Sequence, residues 1–165
     1  MNKSVVLNVG ALIGVLVLMK WLGPKASLDA QIYYTGNEAR DFLKGLSEGQ
    51  SYAYFINELL DILFIFLYSF LAFFSVKRLF KTFAMAPWIA LIPGVLDFVE
   101  TTTILFILKL GDTLNLLDSL GVITFLKWGS GALLVILVGL KIADLRGWIK
   151  LEGKLFEGGG EGEAS

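Results

Sequence analysis

Cysteine and histidine are both missing from this 165-residue chain. Without thiols there is no disulfide, no thiolate metal site and no cysteine nucleophile. Without imidazole the commonest general base and the commonest transition-metal ligand are gone. No cofactor and no metal site are expected, and any chemistry has to run on carboxylates, lysine, hydroxyls or tyrosines. A surplus of positive charge is lacking too. With 14 Lys and Arg against 15 Asp and Glu, no basic stripe exists to neutralise phosphates, so nucleic acid is not an expected partner.

What the chain has instead is apolar surface. A hydrophobic fraction of 56% and a mean hydropathy of +0.72 put it outside the ordinary soluble class. Its 13 Phe and 4 Trp suit lipid-facing and interfacial positions. Apolar runs occupy Val5–Leu22, Leu59–Val76, Ala84–Leu110 and Gly121–Leu140. A hydrocarbon core about 30 Å thick needs roughly 20 helical residues, so each run is a spanning candidate. The expected fold is an all-α membrane protein: four transmembrane helices in an antiparallel bundle, with a short outer surface helix and a C-terminal interfacial helix. A single domain over 1–157 is expected, with spans about 5–22, 56–76, 84–110 and 119–141, followed by a disordered acidic Gly-rich tail at 158–165. Lys3 before an apolar run has the form of a signal peptide, but no small-x-small site follows, so the first helix is read as retained.

Loop charge sets the expected orientation. Lys77, Arg78 and Lys81 follow the second run with no acid beside them, and Lys141, Arg146, Lys150 and Lys154 follow the fourth. The first loop sets Lys25, Arg40 and Lys44 against Asp29, Glu38, Asp41 and Glu48, and the third holds Asp112 and Asp118. The positive-inside rule puts both termini in the cytoplasm of a multi-pass cell (inner) membrane protein, with the acidic loops outside. Within the first loop, Thr35 and Glu38 have capping-box spacing, and Ala39, Phe42, Leu43 and Leu46 recur at helical intervals. A helix over about 36–46 is expected there, with Tyr33, Tyr34, Tyr52 and Tyr54 beside it at headgroup level. Pro87 fits a first helical turn, and Pro93 should kink the third helix. Ile142, Leu145, Trp148, Ile149, Leu151 and Phe156 read as the interfacial helix.

The apolar runs carry ionisable groups. At about 1.5 Å of rise per residue, Asp97 and Glu100 lie roughly 20 and 24 Å up the third helix, and Lys127 about 9 Å below Gly121. Asp61 lies near the outer end of the second. Four groups from three runs thus converge on the outer half of the bilayer. Their helical faces agree: Asp97, Glu100, Thr101 and Ile104; Glu58, Asp61, Ile65 and Tyr68; Thr124, Lys127 and Gly131. Glu58 is expected at the outer interface. Asp61, Tyr68, Asp97, Glu100, Thr101, Thr124 and Lys127 form the candidate polar core. Three acids facing one lysine cannot all be ionised in low dielectric, so a proton or a cation must complete the balance. A structural network, a ligand site, and ion or proton passage all remain open at this point.

Three smaller features complete the reading. Gly10 and Gly14 have the spacing of a close helix–helix contact and would serve a weak homodimer. Gly129 and Gly131 are expected to permit tight packing inside the bundle. The run 77–81 is a topology signal that also meets anionic lipid.

The stretch Tyr34-Thr35-Gly36-Asn37-Glu38-Ala39, then Leu43, Leu46, Gly49, Tyr54, Asp61, Phe64 and Tyr68, resembles an uncharacterised family of prokaryotic four-helix membrane proteins. Pro93 with Asp97-Phe98-Val99-Glu100, and Thr124-Phe125-Leu126-Lys127-Trp128, fit the same pattern, which has Asn where this chain has Thr101. The resemblance covers roughly 33–130 and implies four spans around a shared polar core, with no assigned activity. Four-helix sterol isomerases and their sigma-2-receptor-like relatives offer an analogy only, since the spacing differs and histidine is missing. The chain is therefore expected to be a membrane protein whose cluster organises the bundle and suits a small amphiphilic or cationic ligand. A membrane enzyme using carboxylate acid/base chemistry on a lipid-like substrate, and a proton- or cation-coupled carrier, are the alternatives.

Overall fold

The structure, a computed structural model, describes residues 3–22, 28, 31–81, 83–112 and 115–147. Among the described residues every regular element is helical: α1 (Lys3–Leu22), α2 (Gly36–Gly45), α3 (Glu48–Leu79), α4 (Ala86–Ile89), α5 (Ile92–Leu110) and α6 (Leu117–Leu145). Three stretches are long and apolar enough to cross a membrane: Glu48–Leu79, Ala86–Leu110 and Leu117–Leu145. In α1 the apolar stretch Asn8–Trp21 is shorter. Only 17%, 33% and 17% of the three apolar windows is buried inside the chain, so most of this surface needs cover that the protein does not supply. That is the signature of a membrane protein.

Local chemistry sets the boundaries. Thr35 Oγ1 accepts from the Glu38 N–H (3.3 Å) while Glu38 Oε2 accepts from the Thr35 N–H (2.7 Å), a reciprocal cap that starts α2. Ser47 and Gln50 repeat the device, with the Ser47 N–H donating to Gln50 Oε1 at 2.9 Å. The second cap starts α3 at Glu48, well before the expected 56, because S-x-x-Q satisfies the first amides wherever the chain offers it. The third apolar run is two helices rather than one kinked one. Pro93 has no N–H to give Ile89, so α4 stops in the turn at Ala90–Leu91 and α5 restarts with Pro93 in its first turn. The expected interfacial helix begins inside α6, which runs on to Leu145; its residues from 148 on, and the tail, lie outside the described residues.

α3 packs against α1, α4, α5 and α6; α6 packs against α2 and α5. Two apolar clusters result. One gathers Leu28, Tyr34, Ala39, Tyr54, Ile104, Ile107, Leu117 and Leu120, with Phe42, Leu43 and Leu46 of the α2 region against it. The other joins Val76, Phe80, Ala86 and Ala90 to Leu134 and Val138. Along α3, along α4 and α5 taken together, and along α6, the candidate polar residues fall between these two clusters in the chain. Tyr34 and Tyr54 are buried, contrary to the expected headgroup placement, because the segment before α2 folds in over the helix ends. Tyr33 and Tyr52 are exposed.

Candidate functional site

Each side chain of the polar layer is placed by helical spacing. Asp97, Glu100 and Thr101 stand one turn apart on α5, just after the restart at Pro93. Thr124 and Lys127 occupy one face of α6, and Asp61 with Tyr68 occupy one face of α3. Lys127 Nζ donates to Asp97 Oδ1 at 2.9 Å and lies 2.5 Å from Glu100 Oε2. Tyr68 donates its hydroxyl to Asp97 Oδ2 at 2.8 Å. Thr101 Oγ1 donates to Asp61 Oδ2 at 2.8 Å, tying α5 to α3. The Thr124 hydroxyl contacts both Glu100 Oε1 and the Leu120 carbonyl, and its one proton serves one of them. All seven residues take part in these contacts. Glu100, Thr101 and Thr124 are fully buried, Asp61, Asp97 and Lys127 are buried, and Tyr68 is half-buried.

Two participants were not expected from the sequence. Tyr34 donates its hydroxyl to Glu100 Oε1 at 3.1 Å, so the loop before α2 reaches into the polar layer. Its backbone carbonyl rests where a Cβ on Gly121 would stand, so only glycine lets the loop sit this close to α6. Trp128 Nε1 holds the same loop through the Gln31 carbonyl at 2.9 Å. The second is Glu58, which is fully buried rather than at an interface, because it shares the α3 face of Tyr54 and Asp61. Asn57 is buried beside it, and its Oδ1 has no hydrogen-bond partner among the described residues. A signal for Tyr34 existed: it precedes the Thr35 cap, and residues at that position commonly pack on the fourth helical residue, here Ala39.

With Glu58 included, the layer holds the carboxyls of Glu58, Asp61, Asp97 and Glu100 with Lys127 as its cation. Like charges on carboxyls gathered in such an interior repel one another, and a single lysine offsets only part of that repulsion. Among the described residues no group of acids is disposed to hold a metal ion. Two recesses lie apart from the layer. A groove of about 460 Å³ between α3 and α4–α5 is lined by Ile65, Phe66, Ser69 and their apolar neighbours, and no carboxyl reaches it. An outer recess of about 300 Å³ beside Arg40, Lys44 and Asp112 is equally separate.

Above the layer, Arg40 bridges Asp112 (3.3 Å) and Asp118 (3.0 Å), and Asp112 Oδ1 in turn accepts from the Leu116 N–H at 2.7 Å. The bond to Asp118 holds the guanidinium above its usual value, and α2 is thereby fastened to the start of α6. The expected role of Gly129 and Gly131 is not met: a Cβ on either would touch nothing within 4 Å, and the close approaches fall instead at Gly36, Gly94 and Gly121. Gly10 and Gly14 likewise have open space around them.

No family model matches the chain, and neither the curated proteins nor the solved structures contain a match to it. The functional reading therefore rests on the residues and their geometry.

Proposed function

We propose that this chain is a multi-pass protein of the cell (inner) membrane whose buried carboxylate–lysine cluster organises an antiparallel four-helix bundle, with both termini cytoplasmic. The observation that carries the reading is the bridging of Asp97 and Glu100 by Lys127, all three buried, with the remaining carboxylate oxygens taken by Tyr68, Thr124 and Tyr34. A network so fully paired fixes which turns of α3, α5 and α6 face one another. The alternation of the two apolar clusters supports the antiparallel order, since the α4–α5 segment meets them in the reverse sequence to α3 and α6. α1, packed on α3, supplies the fourth span.

The same reading includes a small cationic or amphiphilic ligand at the α3 side, where the buried Asn57 Oδ1 has no hydrogen-bond partner among the described residues and Glu58 and Asp61 are buried beside it. An enzyme would need the acids of the cluster open to substrate, and Glu58, Asp61, Asp97 and Glu100 line neither recess. A carrier would need a polar path from the cluster to the cytoplasmic end, and between the cluster and the charged helix ends α3 and α6 offer Ser69, Ser75 and Ser130. Gly10 and Gly14, with nothing packed on them, are the surface for a weak homodimer.

Reporter fusions after residue 80 and at the C-terminus should both report the cytoplasm, and an outside score at either site refutes the topology. A cationic amphiphile should raise the melting temperature of the native chain and do so less for Asp61→Asn; equal shifts would remove the ligand from the reading.

A further inference from the structure

The groove between α3 and α4–α5 has a basic end. Its walls include Phe66, Phe70, Phe73, Phe74, Leu91 and Val95, and its volume is about 460 Å³. Gly94 and Ser69 form the narrowest point beneath it, since a Cβ on Gly94 would collide with Ser69. Lys77 follows Phe73 and Phe74 at i+4 and i+3, and Arg78 follows Phe74 at i+4, so both cations continue the wall of the groove along α3. Both are exposed, as is Lys81, and no acid occurs anywhere in residues 62–96 to neutralise them. At about 1.5 Å of rise per residue, Phe66 and Lys77 stand roughly 16 Å apart, close to one leaflet of a core about 30 Å thick.

An apolar channel one leaflet deep that ends on uncompensated cations fits an amphiphile with a negative head. We propose that this groove is a site for one anionic phospholipid, its acyl chain along the α3–α5 channel and its phosphate on Lys77 and Arg78. The proposal rests on the membrane-spanning reading above, and it is separate from the carboxylate cluster. Attraction of the leaflet surface alone would favour anionic lipid anywhere near these cations. The groove adds a requirement that surface attraction does not have: the chain must fit.

Trp88 reports on the site. Its ring meets that of Phe73 edge-on at 5.4 Å and is largely exposed. Trp21 on α1, also exposed, serves as reference. Single-tryptophan forms retaining Trp88 or Trp21 would be placed in phosphatidylcholine vesicles containing phosphatidylglycerol, with bromine on the chains of one lipid or the other. Brominated phosphatidylglycerol should win the position beside Trp88 by about fivefold over brominated phosphatidylcholine, with no preference at Trp21. Lys77→Gln with Arg78→Gln should abolish the preference. Val95→Phe, which fills the groove and leaves the charges in place, should abolish it as well. Equal quenching at Trp88 by both lipids overturns the proposal, and so does a preference that survives Val95→Phe. If no brominated lipid quenches either tryptophan, it is the membrane reading itself that fails. Native mass spectrometry of the unsubstituted chain and of Val95→Phe, released from the same vesicles, gives a second readout: phosphatidylglycerol should stay on the first and be lost from the second. Retention by both, or by neither, overturns the site.

Discussion

Removing the lysine should hurt more than removing the lysine together with one of its acids. In Lys127→Met the buried carboxyls of Asp97 and Glu100 lose the cation that stands 2.9 and 2.5 Å away. Breaking a buried ion pair at one partner costs about 3–5 kcal/mol in soluble proteins, whereas interhelical polar contacts in membranes average about 0.6 kcal/mol. The larger figure weighs more here, because Glu100 is fully buried. Set between the two figures and nearer the larger, the expected loss is about 2–4 kcal/mol. Glu100→Gln keeps an oxygen for Tyr34 and Thr124 and removes only the charge, costing about 1 kcal/mol. In the double mutant Asp97 still has Tyr68, and one stranded charge has gone. A coupling of about 1–3 kcal/mol is therefore expected, with the double mutant more stable than Lys127→Met alone. At roughly 2–4 °C per kcal/mol for a chain of this size, Lys127→Met lowers the melting temperature by about 4–16 °C, and adding Glu100→Gln restores part of that. Tryptophan fluorescence during thermal unfolding, all forms in one detergent, measures it. Losses that simply add would refute the reasoning, because they would mean the two groups do not feel each other.

The loop latch makes the next prediction: Gly121→Ala forces the Tyr34 carbonyl away and should cost about 1–3 kcal/mol, while Gly131→Ala, with open space around it, should cost nothing measurable. Tyr34→Phe removes a donor to Glu100 and should cost about 1–3 kcal/mol against none for the exposed Tyr33→Phe, both read by melting temperature. The Glu38 carboxyl is held below its ordinary value of 4.5 by the Thr35 N–H first and the Thr35 hydroxyl second. A depressed carboxylate stabilises fully above its unfolded value and loses that contribution as pH falls through the folded one, so amide protection of α2 should drop in acid below about 4.5. Glu38→Gln should flatten that dependence; an unchanged profile would show that the cap does not hold α2.

Helix positions and faces were legible in the sequence because both follow from local spacing. The convergence of Asp97, Glu100 and Lys127 could be read from helical rise alone, since long apolar runs fix depth when they share a slab. The two capping boxes are equally local, and Ser47 with Gln50 was readable in the same way as Thr35 with Glu38. What could not be read was the path of the segment before α2. Tyr34 reaches Glu100 across 66 residues of sequence, and its burial depends on the space that Gly121 leaves on α6. Glu58 was misplaced because exposure near a helix end was judged from depth, while the overlying loop and α2 move the protein surface outward.

Charge in an apolar layer is costly, and the distribution of partners shows where the cost has been offset. Lipid is as apolar as Leu, so the two hydrophobic clusters alone give little preference for one helix register over another. Directional contacts supply that preference. On the α5–α6 side every carboxylate oxygen has a neighbour: Lys127 and Tyr68 on Asp97, Lys127, Thr124 and Tyr34 on Glu100. On the α3 side Asp61 accepts from Thr101, and the buried Glu58 adjoins Asn57, whose Oδ1 is buried with no hydrogen-bond partner among the described residues. A buried acceptor left in that state costs about 1–3 kcal/mol, which a network serving packing alone has no reason to retain. Tyr68 on Asp97 and Thr101 on Asp61 tie α3 to α5 as Lys127 ties α5 to α6, so the register of all three helices rests on these contacts, and Asn57 is a buried acceptor that they leave unmet.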